Sequence, residues 1–569
     1  MSHQMFERHQ KTLTAAVEAI RSRAYWSAYP EVPSGKIYGE TAKKDGATAF
    51  KARLNNPFEI NQPGTIGSVG NEVSPYGMKL GVTYPKADLN VLLPAAQKAM
   101  NTWKKASVED RVGVCLEILD RINKQSFEMA SAVMHTTGQG FMMAFQAGGP
   151  HAQDRALEAI AYAWEEMKRT PAQATWSKQV SKTDTITLDK TFRIVPRGVA
   201  VNIGCSTFPT WNGYPGLFAS LATGNAVVIK PHPGAILPSA LTVATARTVI
   251  KEAGFDPNLV TLVADSPDDP ITRELVMRPE VKIIDYTGGS TFGDWIEDNA
   301  RQAIVFTEKA GINSIIIDSL DDLKAVTGNI AFTLCLYSGQ MCTTSQNIFI
   351  PKDGIETGEG HKSFDDVAQA IVGAVNWFLS DPGRAAEVLG AIQNEATARR
   401  IEQAKIDGGE VLRASEKLNN EKFPDARVHS PLILKVDADN ENLFMREMFG
   451  PIAYIVATKD TNQSIELAAK AARDLGAITC AAYSTNPTVI EAIEEATAEA
   501  GVALSSNLTG QIWVNQSAAF SDFHVSGANP AGNATLCDSA FVSRRFRVVQ
   551  SRILVPQTAE KETEAHAGV

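Results

Sequence analysis

From residue 199 onward the chain alternates short apolar runs with longer segments of helical character. The runs are rich in β-branched residues and are VAVNIGC (199–205), AVVIK (226–230), LVTLVA (259–264), VKIIDY (281–286) and AIVFTE (303–308). A continuous apolar run is typical of a strand buried on both faces, and a helix between two such runs is the usual crossover between parallel strands. The pattern therefore predicts a doubly wound α/β domain.

A second α/β portion follows the first. The N-terminal region before both portions has a different, helical and loop-rich character. The predicted strands of the second portion are NSIIID (313–318), NIFIP (347–351), PLILKV (431–436) and AYIVATK (453–459). The first 195 residues are predicted to be helical and loop-rich, with an irregular, Gly/Pro/Asn-rich stretch that wraps over the surface between the first two helices.

Two polar segments with strand character, 181–195 and 544–556, lie outside the predicted main body. They are expected to pair there, and neither has an evident partner in the rest of one subunit. Because free strand edges promote association, we expect a homodimer or a homotetramer.

Composition narrows the class of protein. A net charge of −10 without a basic stripe argues against nucleic-acid binding. The start of the chain lacks the apolar run of a signal peptide or a membrane span, so a cytoplasmic protein with no membrane partner is expected. The six cysteines show no CxxC spacing, and neither a metal site nor a disulfide framework is predicted.

A glycine-rich turn, TGGSTFG, follows the strand VKIIDY and precedes a helix. Backbone N–H groups at Gly288, Gly289 and Ser290 are therefore expected to face a pyrophosphate. Lys230, at the end of AVVIK, is expected to meet a ribose hydroxyl or a 2′-phosphate. The turn is not G-x-G-x-x-G, however, and such turns also form for purely geometric reasons, just as a lone lysine at a strand end is usually solvated.

Five segments taken in order resemble the signature of the aldehyde dehydrogenase superfamily. They are TGNAVVIKP (223–231), YTGGSTFG (286–293), TEKAG (307–311), SGQMC (338–342) and EMFGP (447–451). The interval from Glu308 to Cys342 also matches the family's usual spacing. Within the superfamily the chain looks closest to the phenylacetic-acid degradation (PaaN-type) aldehyde dehydrogenases, on the segments CSTFPTWNGYPGLFASLATGN and IKPHP.

The resemblance implies an aldehyde dehydrogenase-like fold. Its parts are an N-terminal extension (1–84), a Rossmann-type NAD(P)-binding domain (85–306), a catalytic domain (307–515) and a return to the cofactor domain with a C-terminal oligomerisation strand (516–569). The oligomerisation element would also include the strands near 181–195.

The resemblance also implies roles for individual residues. Cys342 would attack the aldehyde, and Glu308 would activate the water that releases the acid. Without the motif, Cys342 would be a small apolar filler and Glu308 a surface carboxylate. Lys230, Gly288, Gly289 and Ser290 would hold the adenosine and pyrophosphate. Glu447 would bind the nicotinamide ribose, and Phe449 would pack on the ring.

The sequence departs from the family pattern at two positions. Thr207 replaces the Asn that stabilises the oxyanion, so either Thr207 acts with the backbone N–H of Cys342 or Asn212 reaches the site. Pro233 replaces a Glu that many NAD-preferring members use on the ribose. Its loss removes a repulsion against a 2′-phosphate, so NADP is expected to serve at least as well as NAD.

The substrate pocket is predicted from aromatic and Met residues near these motifs. Phe208, Trp211 and Met341 are the main candidates, with Tyr214, Phe520 and Phe523 as further ones. Equally, an aromatic stripe at these spacings is typical of a core.

The leading hypothesis is NAD(P)-dependent oxidation of a small-molecule aldehyde, a semialdehyde from aromatic ring cleavage that carries a coenzyme A thioester in one version. The alternatives are a coenzyme A-acylating dehydrogenase and a catalytically silent scaffold protein.

Overall fold

The computed structural model describes residues 2–309 and 311–556. Met1, Ala310 of the TEKAG segment and the end of the predicted C-terminal part, 557–569, lie outside the described residues. Among the helices of the described ranges, none combines the length and apolar character needed to cross a bilayer.

The N-terminal third is mostly helical. Its helices are α1 (Ser2–Ser22), α2 (Gly35–Tyr38), α3 (Ala42–Arg53), α4 (Leu89–Trp103), α5 (Val108–Lys124), α6 (Ser126–Thr137), α7 (Phe141–Gly148) and α8 (Pro150–Lys168). Its strands are β1 (Thr65–Val69), β2 (Tyr84–Ala87), β3 (Gln173–Gln179) and β4 (Thr185–Pro196). Helix α5 is capped by Ser107, whose side chain accepts a hydrogen bond from the backbone N–H of Asp110.

The irregular stretch between α1 and α4 contributes to the hydrophobic core. The expectation that it only wraps over the surface is therefore wrong. Phe58 and Ile60, within this stretch, are buried in the largest core cluster. Glu72, 2 % exposed, accepts hydrogen bonds from the hydroxyl of Tyr84 and from the backbone N–H of Ile236 and of Leu237. The stretch thereby satisfies backbone donors that a buried helix start would otherwise leave unpaired.

A five-stranded parallel sheet confirms the doubly wound prediction. Its strands are β5 (Val199–Ile203), β6 (Ala226–Lys230), β7 (Val260–Leu262), β8 (Val281–Gly288) and β9 (Ile304–Lys309), in the order β7-β6-β5-β8-β9. The connecting helices are α9 (Gly213–Ala222), α10 (Leu237–Glu252), α11 (Thr272–Met277) and α12 (Ser290–Asn299). The strand order reverses between β5 and β8, which opens a crevice at the carboxyl ends of the strands.

The second α/β portion holds a seven-stranded sheet. Its strands are β10 (Asn313–Ile317), β12 (Ser345–Pro351), β15 (Glu410–Arg413), β18 (Leu432–Asp437), β19 (Ile452–Thr458), β20 (Thr479–Tyr483) and β21 (Ala503–Ser506), in the order β15-β18-β19-β12-β10-β20-β21. All pairs are parallel except that of the edge strand β15 with β18. The remaining short strands are β11 (Ser319–Leu320), β13 (Ile355–Thr357), β14 (Gly360–Lys362), β16 (Lys417–Leu418) and β17 (Val428–His429).

Helices cover this second sheet. They are α13 (Leu323–Cys335), α14 (Phe364–Phe378), α15 (Pro382–Leu389), α16 (Glu395–Asp407), α17 (Glu441–Phe444), α18 (Thr461–Lys470) and α19 (Pro487–Glu499), and a short α20 (Ser539–Ser543) follows later in the chain. The long loop from β21 to α20 returns to the first sheet, where Glu308 on β9 forms a backbone bridge with Gly532.

A separate three-stranded antiparallel sheet contains the two polar segments. Strand β22 (Phe546–Leu554) pairs with β4, and β4 pairs with β3, which the sequence analysis did not identify. The two predicted strands thus partner each other within one subunit. At the base of β22 the buried guanidinium of Arg545 forms two hydrogen bonds with the carboxylate of Asp285, at 2.8 and 2.5 Å.

Candidate active site

Cys342 follows a tight turn between α13 and β12. Three successive residues, Tyr337, Ser338 and Gly339, have φ values of 53°, 49° and 64°, in the left-handed region. The Ser338 hydroxyl stabilises the turn, because its proton lies within reach of two backbone carbonyl oxygens, each at 3.0 Å. A Cβ on Gly339 would lie too close to the carbonyl oxygen of Gly450. The glycines of SGQMC and EMFGP therefore allow the two motifs to pack directly against each other.

Glu308 lies on β9 and is 3 % exposed. Its carboxylate accepts hydrogen bonds from Asn212 Nδ2 at 2.6 Å and Thr287 Oγ1 at 3.4 Å, and it lies 2.9 Å from His524 Nε2. Burial alone would raise the pKa of this carboxyl, but interactions with His524, Cys342 and Asn212 bring the pKa below its ordinary value. Glu308 is therefore ionised at neutral pH.

His524 completes the cluster and is 2 % exposed. Its Nε2 lies 3.7 Å from Cys342 Sγ, and its Nδ1 lies 3.5 Å from the hydroxyl of Ser517. That hydroxyl also accepts from the Arg155 guanidinium at 3.2 Å, so its own proton is free to point at Nδ1. Because a carboxylate oxygen can only accept, Nε2 is the donor in its 2.9 Å contact with Glu308.

Helix α8 holds the loop that carries His524. Arg155, fully buried, donates to the carbonyl of Asp522 at 3.0 Å, and Glu158 accepts from the backbone N–H of Phe520 at 3.0 Å. The segment after α1 reinforces the same loop, because the Trp26 ring meets the Phe520 ring edge-on with centroids 4.9 Å apart. This segment, which lies in the predicted N-terminal extension, therefore contacts the structure that supports the site.

The Cys342 thiol is partly exposed. Its pKa lies well above its ordinary value because of burial, the nearby carboxylate of Glu308 and the thiol of Cys205. By contrast, Cys335 in α13 is fully buried, with a pKa raised to about 12 by burial. Cys342 thus rests as a thiol beside an ionised carboxylate.

The structure places the two oxyanion candidates differently. The Thr207 hydroxyl lies 3.8 Å from the sulfur of Cys205, while its backbone carbonyl accepts from Gln139 at 2.8 Å. Asn212, just before α9, belongs to the cluster through Glu308.

One cleft brings the SGQMC motif together with the predicted nicotinamide contacts. It is lined by Met341 and Cys342 from one motif and by Glu447 and Phe449 from the other. Gln346 fixes their relative position, because its side chain accepts from the backbone N–H of Met448 at 2.7 Å and donates to nearby carbonyls.

The predicted dinucleotide contacts lie at the carboxyl ends of β6 and β8. Lys230, 2 % exposed, forms a buried ion pair with Asp265 at 2.7 Å and donates to the carbonyl of Pro231. At the β8–α12 turn the Tyr286 hydroxyl donates to the carbonyl of Gly289 at 2.8 Å, and a Cβ on Gly289 would meet no atom within 4 Å. The turn is thus open to a ligand at Gly289, whereas at Gly288 a Cβ would lie too close to the Tyr286 hydroxyl; Ser290 begins α12.

The pocket candidates divide between the site and the core. The Trp211 ring meets the His524 ring edge-on with centroids 4.7 Å apart, and Met341 lines the cleft. Phe208 is 8 % exposed and packs edge-on against Tyr337. Of the further candidates, Tyr214 and Phe520 belong to the hydrophobic core, while Phe523 is half-exposed.

Sequence reasoning missed His524, Ser517 and Arg155. His524 and Ser517 belong to the late loop NQSAAFSDFHVSG, in which only the aromatic residues were considered. A histidine in a loop far from any motif gives no signal in the sequence that distinguishes it from a surface residue. Only the return of this loop to β9 brings it to the cysteine.

A buried carboxylate beside a cysteine, next to a crevice suited to a dinucleotide, is equipped for thiol-mediated oxidation of a carbonyl compound. Comparisons with known proteins agree. The model of the "Aldehyde dehydrogenase family" matches residues 79–532. Among curated proteins, the chain is 24% identical over 442 residues to the alpha-ketoglutaric semialdehyde dehydrogenase of Bacillus subtilis, covering 76% of this chain and 82% of that protein. It is 25% identical over 422 residues to the N-succinylglutamate 5-semialdehyde dehydrogenase of Paraburkholderia xenovorans, covering 72% and 78%.

Solved structures give the same result. An NAD-dependent aldehyde dehydrogenase from Burkholderia multivorans is 56% identical, with a TM-score of 0.96, covering 98% of this chain and 100% of that one. An NADP-dependent glyceraldehyde-3-phosphate dehydrogenase from Bacillus halodurans, complexed with NADP, shares the fold at 19% identity and a TM-score of 0.67, covering 87% and 99%. The predicted fold class and superfamily are confirmed, while the narrower PaaN-type likeness stays a prediction. The chain belongs to the aldehyde dehydrogenase family.

Proposed function

We propose that the protein oxidises a semialdehyde to the carboxylic acid with NAD or NADP, using Cys342 as nucleophile and Glu308 as general base. One observation carries the proposal: Cys342 shares a cleft with Glu447 and Phe449 and lies within 4.8 Å of the carboxylate of Glu308. Nucleophile, base and hydride acceptor would then meet at one carbon atom.

In the first half-reaction, Cys342 Sγ bonds to the aldehyde carbon and its proton leaves to solvent or a nearby base. Asn212, or Thr207 with the backbone N–H of Cys342, would stabilise the oxyanion. When bound, the nicotinamide supplies the acceptor for the hydride from that carbon. The residues present fit such a group, because the β8–α12 turn is open and the cleft reaches Cys342. Loss of the hydride leaves a thioester on Cys342.

In the second half-reaction, Glu308 takes a proton from a water molecule, which attacks the thioester carbon and expels the Cys342 thiolate. The carboxylate is ionised and oriented by Asn212 and His524, at 2.6 and 2.9 Å. His524 does not touch the reacting carbon in this scheme; it positions Glu308. The proton taken by Glu308 then passes to the thiolate or to solvent, so that the products are the acid and Cys342 as the free thiol.

The substrate is proposed to be a semialdehyde from aromatic ring cleavage in phenylacetate catabolism, carrying a coenzyme A thioester in one version of the proposal. The segments CSTFPTWNGYPGLFASLATGN and IKPHP support this reading. The two curated relatives named above act on semialdehydes, which supports the aldehyde class. Trp211 and Met341 would line the channel for the chain of the substrate.

For the cofactor, the structure supplies an argument against the expected tolerance of NADP. Lys230 is already neutralised by the buried Asp265 at 2.7 Å, so a 2′-phosphate there would face a carboxylate. The Burkholderia multivorans relative is named NAD-dependent. We therefore propose NAD as the preferred cofactor and Asp265 as the residue that replaces the carboxylate missing at Pro233.

The predicted domain boundaries and the homodimer or homotetramer also remain proposals. The sheet β22-β4-β3 supports assembly, because Val549 and Ile553 expose 53% and 71% of their surface. Within the described residues, β22 and β3 are the edge strands of this sheet.

In the acylating alternative, coenzyme A rather than water attacks the thioester on Cys342. In the scaffold alternative, the protein catalyses no reaction. The test is an aldehyde panel with NAD or NADP, monitored at ~340 nm with and without coenzyme A, and with identification of the product. We expect a free acid without coenzyme A. An absolute requirement for coenzyme A would favour acylation, and the lack of both turnover and dinucleotide binding would favour the scaffold.

A further inference from the structure

The cluster at the reaction end contains three side chains of the kinds that bind metal ions. Cys342 Sγ, His524 Nε2 and a carboxylate oxygen of Glu308 all lie within 4.8 Å of one another, and in the described ranges no second group of three has this property. We propose that the three side chains bind one zinc ion, or another soft divalent cation, and that the bound ion reversibly blocks the enzyme by occupying its nucleophile.

The separations are close to those of a tetrahedral site. Zinc bonds of about 2.3 Å to sulfur and about 2.0–2.1 Å to nitrogen or oxygen place S and N about 3.6 Å apart and N and O about 3.3 Å apart. Cys342 Sγ and His524 Nε2 are 3.7 Å apart, and His524 Nε2 and Glu308 Oε1 are 2.9 Å apart. The third separation, from Cys342 Sγ to the Glu308 carboxylate, is within 4.8 Å, compared with about 3.6 Å in a tetrahedral site. The ion is therefore admitted once the carboxylate moves slightly away from the imidazole and into range of the sulfur.

The second layer of contacts also suits a metal site. A metal-bound histidine usually donates its other ring N–H to an oxygen, and a ligating carboxylate is usually hydrogen-bonded in turn. Ser517 Oγ lies 3.5 Å from His524 Nδ1, and Asn212 donates to the Oε2 atom of Glu308 at 2.6 Å. On metal binding the imidazole proton would move from Nε2 to Nδ1, where Ser517 accepts it. The thiol of Cys342 would release its proton to solvent.

Catalysis explains why Cys342 and Glu308 lie together, but two ligands rarely hold a zinc ion. The third ligand comes from a loop 182 residues beyond the cysteine. No local spacing reveals such a set, and for this reason the sequence predicted no metal.

Cobalt(II) provides a direct probe, because a cobalt–thiolate bond gives a charge-transfer band in the near ultraviolet. Metal-free full-length protein titrated with Co²⁺ should develop this band to one ion per chain, and Zn²⁺ should displace it. Cys342→Ala should abolish the band, and His524→Gln should weaken binding at least ~10-fold. Cys335→Ala, whose thiol is buried in α13 outside the cluster, is the matched control and should bind as wild type. This experiment measures binding alone, so its outcome does not depend on aldehyde oxidation.

A wild-type measurement avoids any folding defect of the variants. Zn²⁺ should slow alkylation of Cys342 by iodoacetamide, EDTA should restore the rate, and peptide mass mapping should locate the protection at Cys342. A charge-transfer band that persists in Cys342→Ala, no band in the wild type, or alkylation of Cys342 that Zn²⁺ leaves unchanged would each overturn the proposal.

Discussion

The two ends of the proposed site are held together by different means. At the dinucleotide end, Lys230 and Gly288 are the last residues of β6 and β8, the two strands that flank β5 in one parallel sheet, and the backbone sets their positions. At the reaction end, Cys342, Glu308 and His524 come from three separate segments and are joined by side-chain contacts. Single side-chain changes should therefore reduce turnover strongly at the reaction end and change cofactor binding only mildly at the dinucleotide end.

The largest effect is expected when the nucleophile at the reaction end is replaced. Cys342→Ala should reduce aldehyde oxidation to background while NAD binding, measured by fluorescence titration, stays nearly unchanged. The matched control is Cys335→Ala in the preceding helix, which should keep turnover and lose thermal stability by creating a cavity. Residual oxidation in Cys342→Ala would show that the nucleophile is elsewhere.

The base comes next. Glu308→Gln should lower steady turnover by about 10²–10⁴, the usual contribution of a positioned general base, while rapid mixing still shows a burst of NADH. If Glu308→Gln retains full steady turnover without coenzyme A, Glu308 is not the general base.

The same variant makes a prediction of opposite sign for the thiol. Because Glu308 raises the pKa of Cys342, its removal should increase the thiolate fraction and accelerate alkylation by iodoacetamide at pH 7. In the wild type, whose thiol rests protonated, the alkylation rate should rise about tenfold per pH unit above neutrality. Slower alkylation in Glu308→Gln would mean that the carboxylate instead draws the proton from the thiol.

His524 should show a smaller effect confined to the second half-reaction. A hydrogen bond to a charged group contributes about 1.5–3 kcal/mol, so His524→Gln should slow steady turnover roughly 10- to 100-fold. The NADH burst should change little, which distinguishes positioning of Glu308 from a general loss of structure. Ser517→Ala, one contact further away, serves as the graded control and should slow turnover less.

The weakest effect is expected at the dinucleotide end. Asp265→Asn should shift the ratio of NAD to NADP binding toward NADP by up to about tenfold, or about 1.4 kcal/mol, with little change in turnover at saturating cofactor. Isothermal titration with each dinucleotide measures it. Wild-type protein that binds NADP as tightly as NAD would contradict the role of Asp265. It would favour the expectation that Pro233 leaves room for a 2′-phosphate.

The same contrast explains what the sequence could predict. The first sheet was accessible because each strand is a local apolar run, such as AVVIK, and helices between such runs indicate parallel strands. Strand β3 was missed because QATWSKQ is polar and wholly exposed, so burial leaves no pattern in it. The irregular stretch was misjudged because Glu72 acts on α10, far along the chain.

Within the site, Cys342 and Glu308 were found through family motifs, whereas His524 was not. A motif records residues near each other in sequence, but the late loop reaches β9 only after both sheets have formed. Its position depends on tertiary contacts, among them Arg155 to Asp522 and Glu158 to Phe520. Such contacts have no signature in a single sequence.

The central claim is that the aldehyde carbon becomes bound to Cys342 and that Glu308 is needed to release it. The direct measurement is the intact mass of Glu308→Gln after mixing with aldehyde and NAD, followed by peptide mapping. The account predicts a mass increase equal to the acyl group, located on Cys342 and removed slowly by water. No adduct, or an adduct on Cys205 instead, would contradict it.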